Sequence, residues 1–420
     1  MTEPQSPQVF LGRQPILGRE QQLLAYELLF RNGVIATANT AEILDATQAT
    51  TTVIANAFAE LSISDSLGPY RAYINVDREF LFTDLIEALP PKLVVLEILE
   101  TIEPTPDVIE RCRYLHDKGF SLALDDVVDV TPAFVPLIAL ADIIKVDILA
   151  TDTERLPVLV GQLKTYGKKL LAEKVETSEQ LALCQQLGFD YFQGYYFAKP
   201  TIISGRKLNP SQVALLRLLT LVMKDAETFE IENAFKLEPG LTVNMLRLTN
   251  SVSSGLTTRI TSLRHAITIL GRRQIQRWLQ LLIYTNPNSG GKNIGNPLLQ
   301  LAATRGRLME LLSERVQPRN REFSDQAFMV GIMSLMPTLL GMAMSDILSQ
   351  LPVSQRVNEA LIDRVGQLGM LLQLVESTEQ TDSTLLREAL IRLPAIAPEF
   401  LETSLSQAFA WANNLSQENA

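Results

Sequence analysis

Polar residues recur at a regular interval in the first half of this 420-residue chain, each at or near the C-terminal end of a short apolar run. Successive members lie 28, 20, 28 and 20 residues apart, about the length of one strand plus one helix. In a parallel β/α barrel such strand ends meet at one face. One charged strand end is commonly just a solvated terminus, but five in register favour a shared site. The series is Glu97, Asp125, Lys145, Glu173 and Gln193.

The segments around this series alternate in the manner of β/α units. Up to about Pro200, short apolar runs rich in β-branched residues alternate with longer segments of helical periodicity, which predicts a mainly parallel sheet. Two helical segments, TPDVIERCRYLHDKG and TSEQLALCQQLG, close with a glycine, a common helix stop. The predicted strands are RAYINV, KLVVLEI, FSLALDD, DIIKVDI, KKLLAEKV and FDYFQGY.

The pattern changes after residue 200. Asn209-Pro210-Ser211 is typical of a helix start, and the Leu-rich amphipathic segments that follow predict helices without strands. We therefore predict two domains, an α/β domain with a β/α (TIM-like) barrel over residues 1–203 and an all-α domain over residues 204–420. The segment from Thr285 to Pro297 is rich in Gly, Asn and Pro and is predicted to be a mobile loop.

Composition argues against several classes of protein. With 46% hydrophobic and 20% charged residues the chain can bury sizeable cores, and its formal net charge of -10 argues against direct nucleic-acid binding. Cys112 and Cys184 lie far apart and predict neither a disulfide framework nor a zinc site. The N-terminal MTEPQSPQ lacks a signal-peptide pattern, and charges interrupt the apolar segments before the ~18 residues of a membrane span. We expect a cytoplasmic protein.

The residue types at the predicted strand ends indicate a divalent cation held by oxygen atoms. The candidate ligands are Glu27, Asn75, Glu97, Asp125 and Asp126. A set without histidine or thiolate suits Mg²⁺ or Mn²⁺ better than zinc or copper. Two such ions can stabilise both the attacking and the leaving oxygen of a phosphoryl displacement. Lys145 would then neutralise phosphate charge or hold the attacking water, and Glu173 would act as the base for that water.

Eight short motifs follow one another along the first half. They are RQPILG (Arg13 to Gly18), YELLFR (Tyr26 to Arg31), YINVD (Tyr73 to Asp77), LEILE (Leu96 to Glu100), ALDD (Ala123 to Asp126), IKVD (Ile144 to Asp147), AEKVET (Ala172 to Thr177) and QGYYFAKP (Gln193 to Pro200). In this order the set resembles an EAL domain, the β/α-barrel phosphodiesterase module that linearises the bacterial second messenger cyclic di-GMP.

The resemblance implies a role for each matching residue. The implied metal ligands are Glu27, Asn75, Glu97 and Asp125, with Asp126 supporting a second ion. The implied catalytic residues are Lys145 and Glu173, with Glu176 and Glu100 as carboxylates that support them. The implied contacts to the dinucleotide come from Gln14, Arg31 and Gln193. Mg²⁺ or Mn²⁺ is the implied cofactor, and barrel dimerisation is expected.

The sequence departs from the family pattern in two main places. Active members continue from the Asp-Asp pair into Phe-Gly-Thr-Gly, whereas this chain has Val127-Val128-Asp129-Val130. Valine strongly disfavours the positive φ of a glycine turn. Lys174 stands where a glycine is usual and places a cation beside Glu173. The predicted ligands are therefore retained while the loop that organises them is altered. A milder change, Leu28 for alanine in the Glu-Ala-Leu signature, keeps the ligand Glu27.

Three stretches of the second half, Phe229 to Val252, Ile260 to Leu279 and Phe328 to Gly341, resemble an HDOD domain. That domain is a helical relative of the HD phosphohydrolases that has lost their catalytic residues. An HD metal centre needs several histidines, and the sequence has only His116 and His265. We therefore expect no cofactor here and a role in binding protein partners. A basic cluster is either a surface for an anionic partner or the solvated side of a helix: Arg259, Arg264, Arg272, Arg273 and Arg277.

Two functions remain open. In one, the chain is a Mg²⁺- or Mn²⁺-dependent cyclic di-GMP phosphodiesterase that yields linear pGpG. In the other, a degenerate barrel binds cyclic di-GMP or partner proteins, and the catalytically inactive HDOD half transmits the signal. Because a small displacement of catalytic groups costs a factor of ~10² or more in rate, the altered loop favours the second. Neither function requires a membrane or a nucleic acid, and a homodimer is compatible with both.

Overall fold

Two units make up the molecule. The computed structural model describes residues 9–32, 67–152, 154–194, 210–252, 260, 262–284, 296–379 and 383–418. By its contacts the first unit, here the barrel unit, comprises Met1–Lys199 and Leu374–Gln417, and the second, the helical unit, comprises Pro200–Gln373 and Glu418–Ala420. This division adds a C-terminal segment to the barrel unit that the predicted boundary at residues 203 and 204 leaves in the second domain. Both the boundary and most of the loop predicted from Thr285 lie outside the described residues.

Eight strands close into a barrel in sequence order. Their bounds are β1 Val9–Gly18, β2 Leu23–Asn32, β3 Arg71–Val76, β4 Val94–Ile98, β5 Ser121–Leu124, β6 Ile143–Asp147, β7 Lys169–Glu173 and β8 Tyr191–Phe192. β1 runs antiparallel to both β2 and β8, and the pairs from β2 to β8 are parallel. The predicted barrel and its six predicted strands are confirmed. The pattern missed β1, because its Gly12 and Pro15 are residues that usually interrupt strands, and it also missed β2.

Short helices connect the barrel strands. They are α1 Arg78–Leu81, α2 Pro106–Asp117, α3 Val135–Leu140, α4 Leu156–Lys164 and α5 Ser178–Leu187. Both helices named from the sequence, α2 and α5, are present. α5 starts with a capping box in which the Thr177 hydroxyl accepts the backbone N–H of Gln180 at 3.2 Å, and it ends at Gly188 with φ of 82°. Local capping chemistry thus sets where the chain leaves β7 and returns to β8.

Apolar side chains fill the inside of the barrel in one layer. This interior layer consists of Ile16, Ala25, Tyr73, Val95, Ala123, Ile143 and Leu171, with Tyr191 packed against it. A larger apolar core surrounds the strands on the outside and includes Ile74, Leu96, Leu122 and Val146. Because side chains alternate along a strand, the strands are buried on both faces and read as nearly continuous apolar runs. The polar residues at the ends of such runs therefore mark the level at which the interior of the barrel changes from apolar to polar.

The helical unit is built from α6 Pro210–Met223, α7 Thr228–Lys236, α8 Pro239–Val252, α9 Leu263–Leu282, α10 Pro297–Val316, α11 Arg321–Met333, α12 Met336–Leu340, α13 Met344–Gln350 and α14 Gln355–Ile362, followed by the start of α15 Gly366–Thr378. The helix start predicted at Pro210 is confirmed. α10 and α11 meet at Gly306 and Gly331. A Cβ on Gly331 would lie 2.6 Å from the Arg305 carbonyl oxygen and 2.7 Å from Cα of Gly306. This close approach leaves no space for a side chain there.

One stretch of the helical unit has the length and composition of a membrane span. Among the described residues, Arg321–Leu340 reaches a mean hydropathy of 1.2, and 72% of this window is buried. It forms α11 and α12, with Phe328, Met333 and Met336 in the core of the unit. Core helices of globular domains commonly have this composition. The stretch therefore packs as the interior of a helical domain.

The arginines of the predicted basic cluster mostly face carboxylates. Arg264 pairs with Glu232 at 3.1 Å, and Arg273 pairs with Asp325 at 2.5 Å. Arg277 pairs with Glu310, and Arg272 lies 3.9 Å from Asp225. Arg259 lies outside the described residues. Because these charges are balanced within the unit, the contacts favour the interpretation as the solvated side of helices.

The chain's last helices pack with the barrel unit. They are the end of α15, α16 Ser383–Arg392 and α17 Pro398–Glu418. The guanidinium of Arg13 in β1 lies 4.3 Å from the centre of the Tyr26 ring and 3.7 Å from that of Phe409 in α17. A Cβ on Gly68 would lie 3.2 Å from Cγ of Asn413. α17 thus covers the outside of the barrel beside β1 and β2.

Candidate active site

A polar layer lies directly above the apolar interior layer of the barrel. Each of its members is two residues from an interior apolar residue on the same strand or its extension, so both project inward. The pairs are Ile16 and Gln14, Ala25 and Glu27, Tyr73 and Asn75, Val95 and Glu97, Ala123 and Asp125, Ile143 and Lys145, Leu171 and Glu173, and Tyr191 and Gln193. In β1 the polar residue Gln14 precedes the apolar residue Ile16 in sequence, because β1 runs antiparallel to its neighbours β2 and β8. The structure therefore brings together the predicted series at one mouth of the barrel.

Lys145 lies at the centre of this layer. Its side chain is 1% exposed, and its Nζ lies 2.9 Å from Oδ1 of Asp125 and 2.8 Å from Oε1 of Glu173. The same ammonium forms an ion pair with Glu97, which is fully buried, and lies 3.5 Å from Oε2 of Glu27. One cation therefore faces four carboxylates from four different strands. The layer keeps an excess of negative charge in a place that water hardly reaches.

Two amide side chains orient Glu27. Nδ2 of Asn75 donates to Oε1 of Glu27 at 3.2 Å, and Nε2 of Gln193 donates to Oε2 at 2.5 Å. The same Gln193 amide donates to Oε1 of Gln14 at 2.9 Å. These bonds link β1, β2, β3 and the end of β8 across the closure of the barrel. Both oxygens of Glu27 thus have a defined orientation.

Burial changes the acidity of two carboxyl groups in this layer. Burial, together with the nearby charges of Glu173 and Glu27, raises the pKa of Asp125 from its usual 3.8 to about 9. Burial also raises the pKa of Glu173 to about 7, against the opposing effect of Lys145. Charged carboxylates that crowd together away from water favour protonation unless a cation joins them. A divalent ion would supply the missing positive charge.

The unpartnered oxygen atoms fit such an ion. Within the described part of the chain, no hydrogen bond reaches Oδ1 of Asn75, Oε2 of Glu97 or Oε2 of Glu173, although all three atoms are buried. Two groups of carboxylates have ligand atoms within 4.8 Å of one another: Glu27, Glu97 and Glu173, and Asp125, Asp126 and Glu173. Buried oxygens without donors are costly unless something binds them. An all-oxygen set of this kind suits Mg²⁺ or Mn²⁺.

Comparison with known families identifies both halves of the chain. The EAL domain family matches residues 5–200, and the HDOD domain family matches residues 209–359. Over 411 residues the chain is 30% identical to the cyclic di-GMP phosphodiesterase CdgJ of Vibrio cholerae, covering 97% of this chain and 93% of CdgJ. It is 32% identical over 383 residues to YuxH of Bacillus subtilis, an uncharacterised protein, covering 89% of this chain and 91% of YuxH.

The chain belongs to the EAL–HDOD family of cyclic di-GMP phosphodiesterase-like proteins. Solved EAL structures are also similar to the first half. An EAL domain protein of Listeria monocytogenes is 22% identical, covers 46% of this chain and 87% of its own, and has a TM-score of 0.37. BlrP1 of Klebsiella pneumoniae, solved as a manganese and cyclic di-GMP complex, is 25% identical, covers 47% and 57%, and has a TM-score of 0.39. The family match over residues 5–200 confirms the EAL resemblance of the sequence.

The altered loop of the EAL domain does not disperse the ligands. Asp126 takes the left-handed conformation with φ of 42°, whereas Val127 to Val130 do not have positive φ. The Val127 side chain is buried in the outer core, and its N–H donates to the Lys145 carbonyl at 2.9 Å. Aspartate tolerates left-handed backbone better than valine does. The chain thus turns at Asp126 itself, and Asp125 stays beside Lys145.

The second departure, Lys174, contacts the site from another side. Its backbone also has positive φ, 56°, which explains why a glycine is usual there. Its Nζ pairs with Asp147 and lies 3.5 Å from Oδ2 of Asp126. Asp147 was part of the IKVD motif but had no predicted role; it is buried, and its Oδ1 accepts the N–H of Leu149 at 2.7 Å. The sequence feature that could have indicated a role for Asp147 is its place at the end of a predicted strand, two residues after Lys145.

The remaining candidate residues lie at the margin of the EAL site. Glu100 is exposed, and its charge contributes to the raised pKa of Asp125. Glu176 is exposed at the start of α5, where its N–H donates to Oε1 of Gln180 at 2.8 Å. Arg31 stands opposite Phe10 in the β1–β2 ladder. The roles predicted for these three residues stay predictions.

Proposed function

We propose that this protein is a divalent-metal-dependent phosphodiesterase that hydrolyses cyclic di-GMP to the linear dinucleotide pGpG. The observation that carries the proposal is the polar layer itself, in which Lys145 faces four carboxylates, three of them buried, and several ligand oxygens lack donors among the described residues. The relation to CdgJ over 97% of the chain supports the same reaction. The sequence pattern alone favoured a binding protein, because it could not show that the ligands stay together.

Mg²⁺ or Mn²⁺ would be held by Glu27, Asn75, Glu97, Asp125 and Asp126, and would supply Lewis acidity to the phosphoryl group and the attacking water. Glu173 takes a proton from that water at Oε2, the oxygen that receives no hydrogen bond from a described residue. Lys145 holds the other oxygen of Glu173 at 2.8 Å and keeps the base oriented. Gln14 and Gln193 lie beside Glu27 as donors and acceptors for the dinucleotide.

The reaction class follows from this arrangement. Water attacks the phosphorus, one phosphorus–oxygen ester bond breaks, and the leaving oxygen departs on the opposite side. Burial raises the pKa of Glu173 to about 7 in the metal-free protein, and a bound divalent ion would favour its ionised form, which can accept a proton. The buried layer excludes bulk water and strengthens the electrostatic contacts that stabilise the transition state.

The test is hydrolysis by the full-length protein. Purified chain is incubated with cyclic di-GMP and Mn²⁺ or Mg²⁺, and linear pGpG is measured by chromatography. Wild type is expected to form pGpG, EDTA to stop it, and Glu97→Gln to lower the rate by about 10² or more, because an amide has the same shape without the charge. Glu87→Gln is the matched control, since Glu87 also pairs with a cation, Arg111, but on the outside of the barrel. Absence of pGpG with both metals would refute the proposal.

A second candidate function is cyclic di-GMP binding without hydrolysis. It is favoured by one observation, the ion pairs of Lys174 with Asp126 and Asp147 beside the ligand group. In that case calorimetry would show cyclic di-GMP binding while no pGpG appears. The HDOD domain would transmit the bound state to a protein partner under either function.

A further inference from the structure

Lys174 occupies a defined place between two aspartates at the rim of the site. It follows Glu173 directly at the end of β7, and its Nζ pairs with Asp147 and lies 3.5 Å from Oδ2 of Asp126. The side chain is 51% exposed, whereas that of Asp147 is 6% exposed. The ammonium thus bridges the ends of β5, β6 and β7.

The backbone that carries Lys174 is fixed. Its φ of 56° is one that side chains rarely adopt, yet the next residue is held by a hydrogen bond from the Val175 N–H to the Gln193 carbonyl at 3.0 Å. Gly194 packs so closely that a Cβ there would lie 2.3 Å from the nitrogen of Val175. The strained conformation therefore persists because its surroundings impose it. Lys174 is presented from a rigid position rather than from a free loop.

The position matters because the carboxylates form two groups that share Glu173. One consists of Glu27, Glu97 and Glu173, and the other of Asp125, Asp126 and Glu173. Lys145 contacts carboxylates of both groups, whereas Lys174 adds a second cation to the Asp125, Asp126 and Glu173 group alone, through Asp126. A fixed positive charge next to a ligand carboxylate opposes a divalent ion at that position. The two groups should therefore differ in their affinity for metal.

We propose that Lys174 is a positioning residue that serves as an internal counter-cation for the Asp126 side of the site, so that the protein binds one divalent ion tightly and a second only weakly. This inference rests on the proposed function, since it assumes that the carboxylates bind metal. It assigns to Lys174 part of the charge neutralisation that a second ion supplies in a two-ion site. The lysine acts on the chemistry through Asp126 and does not itself touch the reacting atoms.

The test is a titration of the chelator-treated full-length protein with Mn²⁺ alone, by calorimetry and by electron paramagnetic resonance of free Mn²⁺. Wild type is expected to bind one Mn²⁺ tightly. Lys174→Gln removes the charge and keeps the strain of a side chain at positive φ, whereas Lys174→Gly removes both the charge and the strain. Each should tighten the second Mn²⁺ by about tenfold or more. Lys174→Arg keeps the charge and should match wild type.

Lys169→Gln is the matched control, because Lys169 is an exposed lysine on the same strand that pairs with Asp190 at 2.8 Å at its other end. Second-site affinities in Lys174→Gln and Lys174→Gly equal to wild type would overturn the inference and leave the phosphodiesterase proposal to its own assay. A change in Lys174→Gly alone would also overturn it, since that result points to backbone strain rather than charge. Failure of all chains to bind Mn²⁺ would overturn both proposals.

Discussion

At the scale of single residues, the site results from one step of strand periodicity. The apolar interior layer and the polar layer are two residues apart, so the same alternation that buries Val95 and Leu171 also aims Glu97 and Glu173 into the barrel. Lys145 makes this arrangement tolerable without metal, because it is the one cation that contacts all four carboxylates in the described layer. Loss of the Lys145 ammonium should therefore lower the free energy of unfolding as well as the activity.

Lys145→Met is expected to destabilise the metal-free protein by about 3 kcal/mol at pH 8, because it leaves the buried carboxylates Glu27, Glu97 and Glu173 without their countercharge. Urea unfolding in EDTA measures the loss. Lys169→Met, which removes an exposed lysine from β7, is the control and should change stability by less than about 1 kcal/mol. Equal stability of Lys145→Met and wild type would show that the carboxylates do not depend on this ammonium.

The metal-free protein should lose stability as pH rises. Burial raises the folded-state pKa of Glu173 to about 7 and that of Asp125 to about 9, above their unfolded values. The folded state therefore holds protons that the unfolded state releases, and the stabilisation present below pH 4 is lost as pH rises through 7 and then 9. Unfolding in EDTA from pH 5 to pH 9 tests this slope. Asp125→Asn should reduce the loss of stability in the upper part of this pH range. A stability that rises with pH would contradict the raised pKa values of Asp125 and Glu173.

At the scale of elements, the turns after the strands keep the polar layer in place. The turns after β5, β7 and β8 carry Asp126, Lys174 and Gly194, all with positive φ. Two of the three are not glycine, which places backbone strain directly beside the proposed ligands. Gly194 is the position where a close approach requires glycine, because the backbone of Val175 fills the space of a side chain.

Gly194→Ala is expected to destabilise the barrel by about 2 kcal/mol or more and to lower cyclic di-GMP turnover, because a Cβ would lie 2.3 Å from the Val175 nitrogen and displace Gln193. Thermal unfolding and the pGpG assay measure both effects. Gly161→Ala is the matched control: Gly161 lies in α4 with open space around it, so the substitution should stabilise by about 0.5 kcal/mol. Equal effects of the two substitutions on stability would show that close packing around Gly194 does not exclude a side chain there.

At the scale of the whole molecule, the barrel unit takes helices from the far end of the chain. Phe409 in α17 is 4% exposed and covers the Arg13 guanidinium, one residue before Gln14 of the polar layer. Residues about 400 positions apart are thus packed together, which lies outside the reach of local sequence patterns. A barrel made only of residues 1–203 would expose this face.

Phe409→Ala is expected to destabilise the barrel unit by about 3 kcal/mol, because it leaves a cavity over Arg13 and Tyr26. Hydrogen exchange of peptides from β1 and β2 in the full-length protein should speed up accordingly. Phe82→Ala serves as control, since that ring is 44% exposed and should matter little. Unchanged exchange in β1 and β2 would show that α17 does not support the barrel.

The series of strand ends, the family and most residues of the polar layer can be predicted from the amino-acid sequence alone. Spacings of one β/α unit and alternation along a strand are local properties, and local properties can be read along a chain. The tertiary structure decided that Val127 packs outward without moving Asp125, that Lys145 rather than Lys174 joins the four carboxylates, and that α17 belongs with the barrel. These outcomes depend on burial and on contacts between distant residues, which no local pattern contains.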